Sequence, residues 1–541
     1  MVAGLCVLLA AAGFASAEIK PAPLAGGASL VSAGAGLPFV SPPGTLSSAW
    51  YCPGPLPVDI GGSQSEIDVV DTAPTPVSGT VSLALSTGAS IQHAFTAPAG
   101  GRVSVSLAGL AATSLPLIGA SGTLTPQWAA AQVDVSGGGV AVTEAVQTSA
   151  STGSAVSDTL APCQVSTSTT WYFPSGSTAA GSDLLLSLYN PSATSAVANV
   201  SFVPGTPPGS APKSGPSPIE PVGLQGLTVA NGQTVVIDVG HDVQLEAQLA
   251  TDVTAVHGRL VAGEWAQPVY GLTASGPGSQ AIGKSKGGKR PAYPAPGAFV
   301  GGASSPLSSW VFPPGPVPGP GLDAYWIMNP SPSPAVVTLT SAVDASDTTT
   351  LSATIAPGSL SVVVPPNPVS PREGPVSGAL SPTAAPPLGG YVEVTAAHGV
   401  GVVVSRSSTT TVVTTSHSGK RTSTLVSSPV AAIGVAVGGR SFVLAGFDAP
   451  GPQQEQNALE VANPGTRAVV VGLGLLQSGS IEHYGTVSVP AGGVVSIDLL
   501  GSGIVATTPL EVFASGPALV ERDFYLAGGK AATPTVGIPV A

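Results

Sequence analysis

Three short elements recur along this chain in a fixed order, and that recurrence limits what it can fold into more than any other feature. The first is an aromatic run before proline: Trp50-Tyr51-Cys52-Pro53-Gly54, Trp171-Tyr172-Phe173-Pro174 and Trp310-Val311-Phe312-Pro313. The second is an apolar strand closing on Asn-Pro, at Asn190-Pro191, Asn329-Pro330 and Asn463-Pro464. A weaker version runs from Ile67-Asp68-Val69-Val70 into Asp71 and Pro74. Tryptophan and asparagine stand 19 residues apart in both repeats that carry the two in full. The third is a glycine turn feeding an alternating strand, at Gly100, Gly232, Gly358 and Gly492, with spacings of 132, 126 and 134 residues. A period of that length is a domain, too long for a propeller blade or a solenoid turn.

Within a repeat the order is aromatic strand, strand to Asn-Pro, strand, turn, strand and a last pair, with no helical period. Six or seven short alternating strands predict an all-β chain of tandem immunoglobulin-like β-sandwich domains, about four of them. The alternation in Arg102-Val103-Ser104-Val105-Ser106-Leu107 puts valines on one face and serines on the other, so hydroxyls are expected to meet solvent where most proteins use charge. The tryptophan of each first strand is expected to fill the core. The boundaries read as 1–17 signal peptide, 18–46 N-terminal segment, 47–160 first sandwich and 161–275 second sandwich. A Gly/Pro/Lys-rich linker or loop at 276–305, a third sandwich at 306–407, a Ser/Thr-rich linker at 408–430 and a fourth sandwich at 431–541 complete the chain. Lys284, Lys286, Lys289 and Arg290 mark the first linker as an exposed protease site.

Composition separates this reading from disorder. Charged residues are only 8% of the chain, but hydrophobic residues are 43% and fall in short runs, which a solvated coil would not carry. The 70 glycines and 55 prolines argue against long helices. A net charge of −12 offers no field for a phosphate backbone, so nucleic acid is excluded as a partner.

Met1 to Ala17 reads as a secretory signal, an apolar stretch from Val2 to Phe14 ending in Ala15-Ser16-Ala17. No Lys or Arg precedes the stretch, so an uncleaved N-terminal membrane anchor is the alternative. Cleavage leaves Cys52 and Cys163, an even count in an exported chain, which a disulfide explains. Two unrelated buried thiols remain the other reading, since sequence does not show that the pair approaches.

Several patterns imitate chemistry without its context. Gly278 to Ser285 matches a phosphate-binding loop letter for letter, but Lys286-Gly287-Gly288-Lys289-Arg290-Pro291 follows it and cannot open the helix such a loop needs. No nucleotide and no cofactor is therefore expected. His93, His241, His257, His398, His417 and His483 lack a neighbour at metal-ligand spacing. Asp238 and Asp498 stand at one position of the repeat, but Ser106 and Val364 replace them elsewhere. Glu521-Arg522-Asp523, the densest charge cluster, reads as the cap of a solvated strand end. Trp128, Trp265 and Trp326 lie outside the recurring aromatic position and are the candidates for a ligand-stacking platform.

At Trp50-Tyr51-Cys52-Pro53-Gly54, Pro162-Cys163, Trp171-Tyr172-Phe173-Pro174 and the Asn-Pro strands, the chain resembles a family of uncharacterised actinobacterial secreted proteins, a domain of unknown function. The resemblance implies an envelope or extracellular location and supplies no activity. Repetition without a catalytic constellation points to a non-catalytic exported protein, a tandem spacer or a binding module for an unknown cell-wall or protein partner. A carbohydrate-binding or carbohydrate-active protein is the alternative; no paired carboxylates support it in sequence.

Overall fold

The computed structural model describes residues 36–58, 63–114, 127–149, 155–180, 182–206, 216–268, 298–314, 322–344, 346–365, 376–378, 390–415, 421–435, 438–446, 454–477, 479–526 and 532–540. The signal segment, the phosphate-loop imitation and the basic residues around Lys284 lie outside them.

The first repeat contains β1 (Ser48–Val58), β2 (Ser63–Asp71), β3 (Val77–Leu85), β4 (Ser90–Ala97), β5 (Gly101–Ser106), β6 (Gln127–Val135), β7 (Val140–Ser149) and β8 (Ala155–Pro162). The second contains β9 (Thr170–Phe173), β10 (Ser182–Tyr189), β11 (Ala196–Thr206), β12 (Leu227–Val229), β13 (Thr234–Asp238), β14 (Leu249–His257), β15 (Val261–Pro268) and β16 (Ala298–Val300). The third contains β17 (Ser309–Phe312), β18 (Leu322–Asn329), β19 (Ala335–Asp344), β20 (Asp347–Ile355), β21 (Ser359–Val363), a short β22 (Val376–Gly378), β23 (Tyr391–Ala396), β24 (Val403–Thr415) and β25 (Arg421–Ile433). The fourth contains β26 (Gly439–Leu444), β27 (Gln454–Ala462), β28 (Val469–Gln477), β29 (Ser480–Val489), β30 (Val494–Asp498), β31 (Leu510–Leu526), β32 (Ala532–Val536) and β33 (Ile538–Pro539). Two short helices, Leu107–Ser114 and Val239–Asp242, are the α-helices among the described residues.

Each repeat builds the same antiparallel sandwich. One sheet, here the flank sheet, runs β1-β6-β3-β4 in the first repeat; the other, the hub sheet, runs β5-β2-β7-β8. The second repeat gives β9-β14-β11-β12 and β13-β10-β15-β16, and the third β17-β23-β19-β20 and β21-β18-β24-β25. In the fourth, β31 serves both sheets, its first half beside β26 and β28 and its second beside β27 and β32. The eighth strands correct two boundaries. Of residues 408–430, the described ones, 408–415 and 421–430, lie in β24 and β25, which pair from Ser405↔Ile433 to Thr415↔Arg421. Of the proposed linker 276–305, residues 298–300 form β16, which pairs with β15. A Ser/Thr run without apolar alternation looks like a linker until its partner strand, set by tertiary pairing, is known.

The recurring elements each answer a local requirement. Trp50, Trp171 and Trp310 are all buried between the sheets. The indole N–H of Trp171 donates to Leu260 O at 3.0 Å and that of Trp310 to Val402 O at 2.7 Å, in both cases the residue just before strand 7. Asn190, Asn329 and Asn463 turn the chain: each Oδ1 accepts the N–H two residues on, and each Nδ2 donates to the carbonyl four residues on and to the end of strand 4. The glycines Gly100, Gly232, Gly358 and Gly492 have φ of 53°, 65°, 57° and 62°, a region that favours glycine. Their amides close onto the Asn-Pro turn, as in Gly232 N to Asn190 O at 2.8 Å. Two separate sequence signals are thus halves of one corner.

The four sandwiches close on themselves. The flank sheet of each repeat packs on the hub sheet of the next: Tyr51, Ala84 and Ala130 on Tyr189; Tyr172, Val203 and Ala250 on Met328 and Leu360; Val311, Ala342 and Tyr391 on Ala462 and Leu519. The fourth returns to the first, where Val443, Leu476, Ala506 and Phe524 join the first repeat's core. The eighth strands meet in the middle, β8 touching β16, β16 touching β25, β25 touching β32 and β32 touching β8. Hub strands are consequently covered on both faces. From Val140 to Gln147 in β7 and from Asn457 to Ala462 in β27 every residue is buried. That coverage explains the scarcity of charge. In β5 the alternation holds at its end, with Val105 buried and Ser106 exposed, while the half-buried Ser104 Oγ donates to Glu66 Oε2 at 2.7 Å.

Candidate functional site

Strand 1 of each repeat is latched to the segment that follows strand 8. The backbone bridges are Tyr51↔Gln164, Tyr172↔Ala303, Val311↔Val435 and Val443↔Ile538. In the first repeat the neighbouring positions hold Cys52 and Cys163, which are bonded with Cα atoms 4.5 Å apart and both buried. The second and third repeats hold Phe173 over Gly302 and Phe312 over Gly434 instead. A Cβ on Gly434 would come 2.8 Å from the Phe312 ring, and one on Gly302 would collide with the Phe173 ring. The disulfide therefore replaces a ring-on-glycine contact. Sequence reasoning found the cysteines and missed their counterparts, because Gly302 and Gly434 carry meaning only once strand 1 lies over them.

One position of strand 7 carries a buried ionisable residue in every repeat. It lies opposite Ile67, Leu186, Tyr325 and Leu459 on strand 2, and is Glu144, Glu264, Arg406 and Arg522 in turn. Their exposures are 3%, 1%, 1% and 0%, so none is a surface group. Glu144 Oε2 accepts the amide of Gly54 at 3.0 Å, and Glu264 Oε1 accepts the Thr251 hydroxyl at 2.7 Å. Burial pushes both carboxyls up to about 8, against the hydrogen bond each accepts. They are therefore held mainly as neutral acids at pH 7.

The arginines are handled differently. Arg406 Nη1 donates to Pro313 O at 2.5 Å and Nη2 to Glu521 Oε1 of the fourth repeat at 2.6 Å. Burial opposes its charge, but the carboxylates of Glu521 and Asp323 outweigh that and raise its pKa. Arg522 donates to Asn457 Oδ1 at 3.0 Å and to the carbonyls of Ala445, Thr508, Val505 and Ala506 at 2.7 to 3.2 Å, with the Phe524 ring 4.7 Å away. Burial first, and then Arg102, lowers its pKa to about 9, which still leaves it charged at neutral pH.

Glu521-Arg522-Asp523 is thus no solvated strand end. All three are fully buried, because this stretch of β31 is a hub strand with a sandwich core on one side and the third repeat on the other. Glu460, Glu521 and Asp523 form a buried acid group whose pKa values are raised by burial first and then by the neighbouring carboxylates, and Glu460 Oε1 accepts the Ser496 hydroxyl at 2.8 Å. Among the described residues Glu460 Oε2 has no hydrogen-bond partner, and the only partner the Asp523 carboxyl finds is the Glu521 carboxyl, which a proton held between the two acids would bridge.

The three platform tryptophans are not brought together. Trp265 is buried and packs edge-on against Phe299 with centroids 5.1 Å apart. Trp326 is half-buried in the contact between the second and third repeats, its indole donating to Ser407 Oγ at 2.8 Å. Trp128 is half-buried where β6 begins, opposite Pro57. Among the described residues, the one group of metal-ligand type is Cys52, Glu144 and Cys163, with ligand atoms within 4.8 Å of one another. Its sulfurs are spent on each other, so it offers no thiolate. No helix among the described residues is long and apolar enough to cross a membrane.

No protein-family model and no curated protein matches the chain. Among solved structures it is similar to the tetra-tandem repeat in the extending region of a large adhesion protein, with 12% identity over 87% of this chain and 93% of that one. The TM-score of that comparison is 0.09, which carries no argument about arrangement or function.

Proposed function

We propose that the chain is a non-catalytic exported protein of the cell envelope or extracellular space, and that its four sandwiches act as one preassembled binding platform. The observation carrying this reading is the closure of the repeats on one another: each ionisable strand-7 residue is buried and hydrogen-bonded inside the assembly, leaving hydroxyl-bearing outer edges such as β20 as the surface offered to a partner. Closure also favours a binding module over an extended spacer. The buried disulfide suits an oxidising compartment, in keeping with export. Incubating the purified protein with isolated cell wall, and with wall stripped of its proteins, tests the reading. Retention on either supports it; failure to bind both, together with turnover of a wall polymer, would overturn it.

A further inference from the structure

Strand 4 is the outer edge of every flank sheet, and the repeats treat that edge differently. In the third repeat β20 is unpaired on that side among the described residues, but it opens on Asp347 beside a register shift at Ala342/Asp344. In the second repeat β12 is cut to three residues. In the fourth, the edge of β29 is covered by β22, antiparallel, with Val376↔Val487, Ser377↔Thr486 and Gly378↔Gly485. That covering strand comes from the third repeat, from the connection between its strands 5 and 6. The corresponding connection of the fourth repeat, residues 499–509, turns inward, where the carbonyls of Val505, Ala506 and Thr508 hold Arg522. It gives Ala506 to the first repeat's core but, among the described residues, adds no strand to that repeat's sheets. Among the described residues no strand pairs with the outer edge of β4.

β4 lacks the usual protection of an edge. It is eight residues long, Ser-Ile-Gln-His-Ala-Phe-Thr-Ala, without Asp, Glu, Lys, Arg or Pro. Its register with β3 runs unbroken from Val77↔Ala97 to Ala84↔Ser90, so no bulge twists it away. Ser90, Gln92, His93, Ala94 and Thr96 are exposed. We infer that this edge is the docking strand for a second copy of the chain, β4 against β4, antiparallel about a two-fold axis through His93. In that register Ile91 meets Phe95, Gln92 meets Ala94 and Ser90 meets Thr96, so aliphatic meets aromatic, hydroxyl meets hydroxyl, and no charge is opposed. The two four-stranded flank sheets become one sheet of eight. The chain already shows the mode, since β22 on β29 is the same addition made from within.

Light scattering of the full mature protein at micromolar concentration is expected to give twice the chain mass. Gln92→Lys with Ala94→Lys, both on exposed positions, is expected to give the single-chain mass with an unchanged melting temperature. Mixing that variant with Gln92→Glu/Ala94→Glu protein is expected to restore the double mass as a heterodimer. Thr348→Lys with Thr350→Lys on β20 serves as the control edge and is expected to leave the dimer intact. A single-chain mass for the unaltered protein overturns the inference, leaving the edge to a different partner. A dimer that survives the β4 lysines, or that dissociates with those on β20, overturns it equally.

Discussion

The first two repeats place a carboxyl at the buried strand-7 position and the last two an arginine, and the same backbone setting solves the two problems by opposite means. Glu144 and Glu264 shed their charge by keeping a proton. An arginine cannot do so at ordinary pH, and acceptors must be brought to it. The fourth repeat bends residues 499–509 inward to supply carbonyls to Arg522, and the third reaches across to Glu521 of its neighbour. The sandwich accepts either side chain at that position; the surrounding loops change to suit it.

The largest test contrasts the covalent latch of the first repeat with the ring-on-glycine latches of the second and third. The bond encloses a sequence separation of 111 residues, for which the chain-entropy model gives about 4 to 5 kcal/mol at most. Reduction, or Cys52→Ala with Cys163→Ala, is expected to raise hydrogen exchange in β1 and β8 while leaving β17 and β24 protected. Uniform loss across the repeats would mean the ring melts as one unit.

Arg522→Met is next. It strands the acceptors that the guanidinium serves, at a cost of about 3 to 5 kcal/mol, and is expected to unlock β27 and β31 by hydrogen exchange. Glu264→Gln, at the matching position, should be mild by comparison because a neutral side chain already stands there at pH 7.

The acid-bearing half should also respond to pH in a defined direction. With folded values near 8 and unfolded values near the ordinary ~4.3, Glu144 and Glu264 contribute fully below the unfolded value and lose that contribution as pH rises toward 8. Melting temperature is therefore expected to fall between mildly acidic and mildly alkaline buffer, and Glu144→Gln with Glu264→Gln to flatten the slope. Equal slopes in the two proteins would transfer the effect to the Glu460, Glu521 and Asp523 group.

The smallest effect concerns the corner of the first repeat, where Asp71 replaces asparagine. Its Oδ1 accepts the Ala73 amide at 2.7 Å as asparagine would, but its buried Oδ2 has no partner, and burial raises the carboxyl to about 6. Asp71→Asn supplies the missing donor and is expected to stabilise the first repeat by about 1 kcal/mol, read as a small rise in its melting temperature at pH 8.

The features that could be read from sequence were those with a local cause. Trp171, Asn190 and Gly232 each impose a core anchor, a turn or a left-handed backbone by themselves, so four sandwiches followed from their spacing. What escaped depends on residues distant in the chain. The β25 strand reads as a Ser/Thr linker because its partner β24 and the parallel neighbour at Val300↔Ala431 decide it. Glu521 and Asp523 read as solvated because nothing local reveals that the third repeat covers them. Glu144 and Arg522 share a position but not a chemistry, and only the register on strand 2 aligns them. Of the proposed stacking tryptophans, Trp265 and Trp326 are apolar contacts of the assembled ring, and a ring is invisible to a period count.

Val40 and Val540 form a parallel bridge, Val40 N bonds to Pro539 O at 2.8 Å, and Val540 N bonds to Ser441 O at 2.9 Å. Tension entering at residue 40 and leaving at residue 540 would therefore cross a few hydrogen bonds rather than travel through four domains in series. Such a molecule hangs from one point like a pendant. Hauled from both flanks, it would first come undone at that clasp, and the first and fourth repeats would part only once their shared core had opened.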